Sequence, residues 1–250
     1  MLNKASSKTS LMFNKDIEET LKSLKSRGFK GFYAEDREVA KNKILEMIPA
    51  EATVGIGDST TVKQIGVIEE LKKRGTTVYD GFYRGITWEK HEDMIHKSAL
   101  CDVFLTGANA VTLDGRLVCV DAVGNRVSGI FFGHKFSIVV VGKNKLVKDL
   151  DEAFYRIRKL IAPTHARLRV ELGGKPLKTP CVVSGQCTDC RSADRICNIF
   201  TIIESKPLRT DINVVIVDED LGLSWDESWP KERISHIINE YKKYVWLPPT

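Results

Sequence analysis

The chain has 250 residues, 42% of them apolar and 28% charged, with 38 basic against 33 acidic side chains and a formal charge of +5. That mixture is the one of a folded globular chain and excludes the apolar-poor, charge-rich composition of disordered proteins. The longest apolar runs, Phe136–Val141 and Ile212–Val217, have the length of strands, far short of the roughly 18 apolar residues that span a bilayer.

In chain order, Met1–Ser10 is polar and lacks the apolar stretch of a secretory signal, so a cytoplasmic protein without structural disulfides is expected. Asp16–Arg27 places Ile17, Leu21 and Leu24 at helical spacing and closes on Gly28; Glu35–Met47 carries Val39, Ile44 and Leu45 ahead of Ile48 and Pro49, and both predict helices. Thr53–Ile56 reads as a short buried strand, followed by a Gly/Ser/Thr turn and a helix over Val62–Arg74. The rhythm repeats with a strand at Thr76–Tyr79, a helix over Trp88–Leu100 and a strand at Asp102–Thr106. Leu117–Asp121 and Phe136–Val141 add strands, the second a continuous apolar run of the kind covered on both faces. A helix over Asp149–Ile161 ends before Pro163, strands follow at Asn198–Ile203 and Ile212–Val217, and Glu232–Val245 closes the chain as an amphipathic helix with Ile234, Ile237, Ile238 and Tyr241 on one face.

Strands alternating with helices predict an α/β fold with a mainly parallel sheet. Residues 1–163 are expected to form its core and residues 164–250 a Cys-rich extension packed on the same domain. No stretch gathers five or six like charges, so no nucleic-acid partner is indicated.

Polar turns stand at predicted strand ends, which is where open parallel sheets bind ligands. In Gly57-Asp58-Ser59-Thr60-Thr61, Gly57 permits a sharp turn, Ser59 or Thr60 caps the next helix, and the first-turn N–H groups suit a phosphate or carboxylate; simple capping is the plain alternative. It is neither a dinucleotide-binding G-x-G-x-x-G nor a P-loop, since no Lys follows the glycine pattern. Thr106-Gly107-Ala108-Asn109-Ala110 is a second turn, in which Asn109 meets a ligand or its own backbone, and Asp114-Gly115 predicts a hairpin. Asp121, Gly124, Asn125 and Arg126 bring a carboxylate, an amide and a forked guanidinium to another strand end, for an anion or for a surface ion pair. Asp58, Asp114 and Asp121 are candidate proton-transfer groups, and Lys143 and Lys145 candidate anion contacts.

The ordered series of these turns, followed by Val141-Gly142-Lys143-Asn144-Lys145, Arg156-Ile157-Arg158 and Ala162-Pro163, resembles the LUD-domain family of lactate-utilisation proteins from about Asp16 to Pro207. The resemblance implies a fold like that of ribose-5-phosphate isomerase, glucosamine-6-phosphate deaminase and CoA transferases. It also implies a role beside the oxidation of L-lactate to pyruvate, with separate iron-sulfur partner proteins. Superfamily members bind sugar phosphates or acyl-CoA at Gly/Ser/Thr turns, which points to a small anionic or phosphorylated metabolite at Gly57–Thr61 with Gly107, Asn109, Asn125, Arg126, Lys143 and Lys145. No catalytic signature of the superfamily carries over.

Cys181, Cys187, Cys190 and Cys197 are spaced C-x5-C-x2-C-x6-C. A C-x2-C turn points two thiolates at one metal, and two further thiolates complete a four-sulfur site. Gly185, Asp189 and Ser192 suit the turns this needs, and Lys178, Arg191, Arg195 and Lys206 offset thiolate charge. Small core cysteines, or redox-active thiols at Cys187 and Cys190, are the alternatives. The spacing is neither a zinc ribbon nor a ferredoxin run. The loop resembles the cysteine-bearing extension of some LUD proteins of anaerobes, which implies an iron-sulfur cluster of the 4Fe-4S kind, with zinc as the alternative. Cys101 and Cys119 read as buried thiols, and His91 and His96, five apart, do not match a helical metal pair. His134 is a candidate acid or base at the pocket edge, His165 carries no signal, and Trp225 and Trp229 read as packing residues. The same residues also allow a non-catalytic iron-sulfur electron-transfer or docking subunit, or a stand-alone isomerase or transferase. They leave turnover and self-association to a homo-oligomer open.

Overall fold

The computed structural model describes residues 3–249. Helix α1 (Asn3–Ser26) ends where Gly28, at φ 80°, turns the chain into strand β1 (Lys30–Ala34). Asp36 caps α2 (Arg37–Met47) by accepting the Val39 N–H at 2.8 Å. After β2 (Val54–Ile56), the helix expected over Val62–Arg74 is broken into α3 (Thr60–Gln64) and α4 (Val67–Lys73). Gly66 between them sits at φ 70°, a left-handed conformation that no helix passes through.

The alternation continues through β3 (Val78–Tyr79), α5 (Trp88–Ser98), β4 (Val103–Gly107), β5 (Ala110–Thr112) and β6 (Leu117–Asp121). β5 and β6 pair antiparallel across Asp114-Gly115, the expected hairpin. Helix α6 (Asn125–Phe131), absent from the sequence reading, is opened by the Asp121 carboxylate, which accepts the N–H groups of Val123, Gly124 and Val127. β7 (Phe136–Gly142) passes through a 3-10 turn at Lys143–Lys145 into β8 (Leu146–Val147).

The helix expected to stop before Pro163 does not stop. α7 (Leu150–Tyr155) runs through a π turn at Arg156–Ile161 into α8 (Ala162–Glu171). Pro163 stands in the first turn of α8, and the Ala162 N–H reaches back five residues to the Ile157 carbonyl. The widened turn accommodates a residue that has no N–H to give. α9 (Pro180–Ser184), the Cys-bearing loop, β9 (Ile199–Ile203), β10 (Asp211–Val217) and α10 (Lys231–Lys242) complete the chain.

Among the described residues the main sheet has six strands, all parallel, in the order β1-β10-β7-β4-β2-β3, which establishes the expected α/β class. Ile138, Val140, Val215 and Val217 face one core with Ile44, Val62 and Leu71, while Val139, Val141, Val214 and Ile216 face another with Leu24, Leu117 and Ile130. Apolar residues on both faces explain the continuous runs in β7 and β10. β10 lies between β1 and β7, so residues beyond 164 supply an interior strand of the core sheet. A second sheet, β8-β5-β6-β9, shares the second core and turns Ala110 and Val118 towards Leu168, Ile237 and Tyr241. Among the described residues no helix is long and apolar enough to cross a membrane.

Candidate functional site

The parallel order brings the carboxyl ends of β2, β4, β7 and β10 to one edge of the sheet. A cavity of about 210 Å³ opens there, walled by the turns after these strands, by the end of β6, by α8 and α10, and by Trp246. From the first polar turn it takes Asp58, Ser59, Thr60 and Thr61; from the others Gly107, Asn109, Asp121, Asn125 and Arg126; and from the 3-10 turn Lys145. The structure therefore assembles most of the residues singled out in the sequence.

Several are already engaged in building the walls. Ser59 Oγ accepts the Val62 N–H at 3.3 Å as the cap of α3, and Asp58 pairs with Lys63 at 3.2 Å. Asn109 Oδ1 accepts from the Val120 N–H at 3.0 Å and from Arg126 Nη2 at 2.9 Å. Arg126 also donates to the carbonyls of Gly107 at 2.8 Å and Val120 at 2.5 Å, and lies 3.9 Å from the Asp121 carboxylate. This guanidinium ties the ends of β4 and β6 together from inside the cavity wall. Gly57 is pinned just behind it, since a Cβ there would come 2.6 Å from Thr106 Oγ1 and 2.9 Å from Arg126 Cγ.

Other expected residues lie elsewhere. Asp114 pairs with Arg27 at 2.9 Å and Arg116 at 2.6 Å at the surface, away from the cavity lining. Lys143 pairs with Asp218 at 2.9 Å and is likewise not part of the lining. His134 is stacked on Phe104 with ring centroids 5.0 Å apart and donates to the Cys101 carbonyl, again outside the cavity.

The cavity residues that the sequence reading missed include His165, Arg169, Tyr241 and Trp246. Ala162, His165 and Arg169 form one stripe of α8, a helical spacing that becomes legible only when the helix is continued past Pro163. Tyr241 Oη and His165 Nδ1 are hydrogen-bonded at 2.7 Å. Burial pushes His165 down to about 4 and the Tyr241 phenol up, so both are neutral near pH 7. Arg169 Nε and Trp246 Nε1 are buried and have no hydrogen-bond partner among the described residues. Trp246 is held in place by stacking on His91 at 4.8 Å and by an edge contact with Phe82 at 5.2 Å.

Lys145 is the most unusual group in the wall. It is 6% exposed, and Nζ donates to Thr61 Oγ1 at 2.8 Å and to the Ala108 carbonyl at 2.9 Å. Desolvation first, and the nearby Arg126 second, push its pKa down to about 7.

Cys181, Cys187, Cys190 and Cys197 line a second, smaller cavity of about 20 Å³, and none is in a disulfide. Asp189, in the C-x2-C turn, takes φ 49° and donates its N–H to Cys187 Sγ at 3.4 Å. Arg195 clamps the loop through the carbonyls of Cys190 at 2.6 Å and Cys197 at 3.0 Å, and it joins Arg158 in binding the Asp189 carboxylate, each at 3.0 Å. Burial pushes the Cys197 thiol up, against the opposing effect of Arg195. Four thiols around one cavity are a donor set suited to thiophilic metals. As placed, no three or more His, Cys, Asp or Glu side chains among the described residues group closely enough to hold one ion. Ala162, Ile196 and Cys197 line both cavities and form the partition between them.

No curated protein matches the chain. Among solved structures, the crystal structure at 1.70 Å resolution of a DUF162 family protein from Deinococcus radiodurans is similar at 14% identity and a TM-score of 0.40, over 83% of this chain and 98% of that one. The LUD domain family model matches residues 17–217, which span both sheets and the turns after β2, β4, β6 and β7. The chain belongs to the LUD domain family.

Proposed function

We propose that this is a lactate-utilisation type LUD protein that binds a small anionic metabolite, a carboxylate or phosphate, in the strand-end cavity beside a four-cysteine redox centre. The observation that carries the reading is that the turns, α8 and the end of β6 bring two guanidinium side chains, Arg126 and Arg169, to one strand-end cavity. Arg126 and Arg169 set cationic groups around the cavity against Asp58 and Asp121, and Asp121 is engaged as the cap of α6. A volume of about 210 Å³ is below the roughly 300–1,000 Å³ of usual ligand pockets. It suits a small metabolite better than an enclosed dinucleotide or acyl-CoA.

Cys181, Cys187, Cys190 and Cys197 are the residues that would hold a 4Fe-4S cluster, with zinc as the alternative occupant. When bound, an iron-sulfur cluster supplies one-electron transfer to redox partner proteins, whereas zinc supplies only a structural clamp. Arg195 and Arg158 stand where they offset the charge of a thiolate centre.

Thermal-shift measurements with pyruvate, L-lactate and inorganic phosphate test the cavity. At least one should raise Tm, and Arg169→Met should remove the rise; no shift with any of them overturns anion binding. Anaerobic purification followed by iron, sulfide and zinc analysis tests the loop. Iron with sulfide is expected, zinc alone reduces the loop to a clamp, and neither metal removes the redox centre. A chain that retains iron but binds no anion is instead a non-catalytic electron-transfer subunit.

A further inference from the structure

We propose that Lys145 is a nucleophilic amine that condenses with the carbonyl carbon of a small 2-oxo carboxylate held in the strand-end cavity. The inference rests on the anion-binding reading above and names the reactive group and the substrate class. Lys145 is buried, lines the cavity and forms no ion pair among the described residues; its two hydrogen-bond partners, Thr61 Oγ1 and the Ala108 carbonyl, are both neutral. A buried ammonium without a counter-ion is costly, and the group escapes that cost by losing its proton. Arg126 on the same wall opposes the ammonium, and the buried Cys119 thiol is the group that favours it.

A neutral lysine amine has two N–H groups and one lone pair. Thr61 and Ala108 accept the two N–H groups, which leaves the lone pair as the unengaged position on nitrogen. Gly222, at φ 72°, keeps the neighbourhood of Nζ open, because a Cβ there would come within 2.8 Å of Nζ and 2.5 Å of Thr61 Oγ1. A desolvated lysine beside a second cation is the arrangement that makes this side chain nucleophilic towards carbonyls. The Arg169 guanidinium, which lines the same cavity, supplies the recognition of the carboxylate end.

In the step itself, the Nζ lone pair forms a bond to the carbonyl carbon, and the C=O π pair moves to oxygen, which takes up a proton. The nitrogen gives up one of its two protons in exchange, and the resulting neutral carbinolamine loses its hydroxyl and its remaining N–H proton as water. Amine plus 2-oxo carboxylate therefore gives imine plus water, with no oxidant or reductant needed. The neutral His165–Tyr241 pair lines the same cavity and is the nearby source of the oxygen's proton.

The test uses the full chain at pH 7.5 with pyruvate, and separately with glyoxylate, each with sodium borohydride, followed by peptide mass mapping. A reduced adduct concentrated on Lys145, and absent from Lys145→Met, is expected. Adducts spread over exposed lysines with Lys145 unmodified, or no adduct with either probe, overturn the proposal. Trace acylation with acetic anhydride provides a second readout on the wild-type chain. Lys145 should stop gaining reactivity above about pH 8, whereas ordinary lysines gain about tenfold per unit up to their pKa near 10.4; a Lys145 profile that follows the exposed lysines also overturns it. If pyruvate raises Tm but leaves Lys145 unmodified, anion binding stands and the covalent step fails; if it does neither, both fail together.

Discussion

Lys145→Met removes the cavity amine while keeping an unbranched side chain of similar length, and it should change how stability depends on pH. In the folded protein burial holds this amine at a pKa of about 7, whereas in the unfolded chain it returns to about 10.4. Between those values the unfolded state carries the proton and the folded state does not. Stability therefore rises with pH by about 1.4 kcal/mol per unit in that window, and the benefit is lost as pH falls towards 7. From pH 7.5 to 9.5 the wild type should gain about 2.5 kcal/mol relative to Lys145→Met, while below pH 6 the difference should level off because both states are protonated. Urea unfolding of both proteins under reductant at pH 7.5, 8.5 and 9.5 measures this, and all other titrating groups cancel in the comparison. A difference that stays flat across the range would show that Lys145 keeps an ordinary pKa when folded and would refute the burial argument.

Gly222→Ala should lower stability by about 1–3 kcal/mol, since it combines a positive φ with contacts at 2.5 and 2.8 Å. Gly66→Ala, at the same φ of 70° but with open space, should cost only about 1 kcal/mol, and urea midpoints compare the two directly. Arg126→Met leaves the Gly107 and Val120 carbonyls without their donor and should cost about 2–4 kcal/mol, with Arg126→Lys restoring only part because it lacks the fork. Asp102 accepts from the Thr53 N–H at 2.9 Å and Oγ1 at 2.8 Å and pairs with Lys135 at 2.7 Å, which together hold its carboxyl well below the usual range. Its folded pKa lies below its unfolded one, so Asp102→Ala should cost about 1 kcal/mol at pH 7, and denaturation at successive pH values should show that cost shrinking as pH falls below about 4.

The sheet and its cavity-facing edge were legible because both faces of β7 and β10 are apolar and the Gly/Ser/Thr turns mark the strand ends. What was hidden depends on contacts between distant residues. Pro163 looked like a helix stop, and only the π turn before it lets α8 carry His165 and Arg169 into the cavity. Lys143 and Lys145 look equivalent in sequence, yet the intervening 3-10 turn sends one to Asp218 and buries the other against Thr61. Asp114 resembled Asp58 as a turn carboxylate until Arg27, 87 residues away, claimed it. β10 arrives late in the chain but is inserted between β1 and β7, which no local pattern discloses.

The most direct test of anion recognition in the strand-end cavity is calorimetric titration of the wild type and Arg169→Met with pyruvate and inorganic phosphate. The account predicts saturable binding of at least one of them by the wild type, weakened tenfold or more by Arg169→Met with the fold intact. Absence of binding by the wild type, or equal affinity in both proteins, would contradict it.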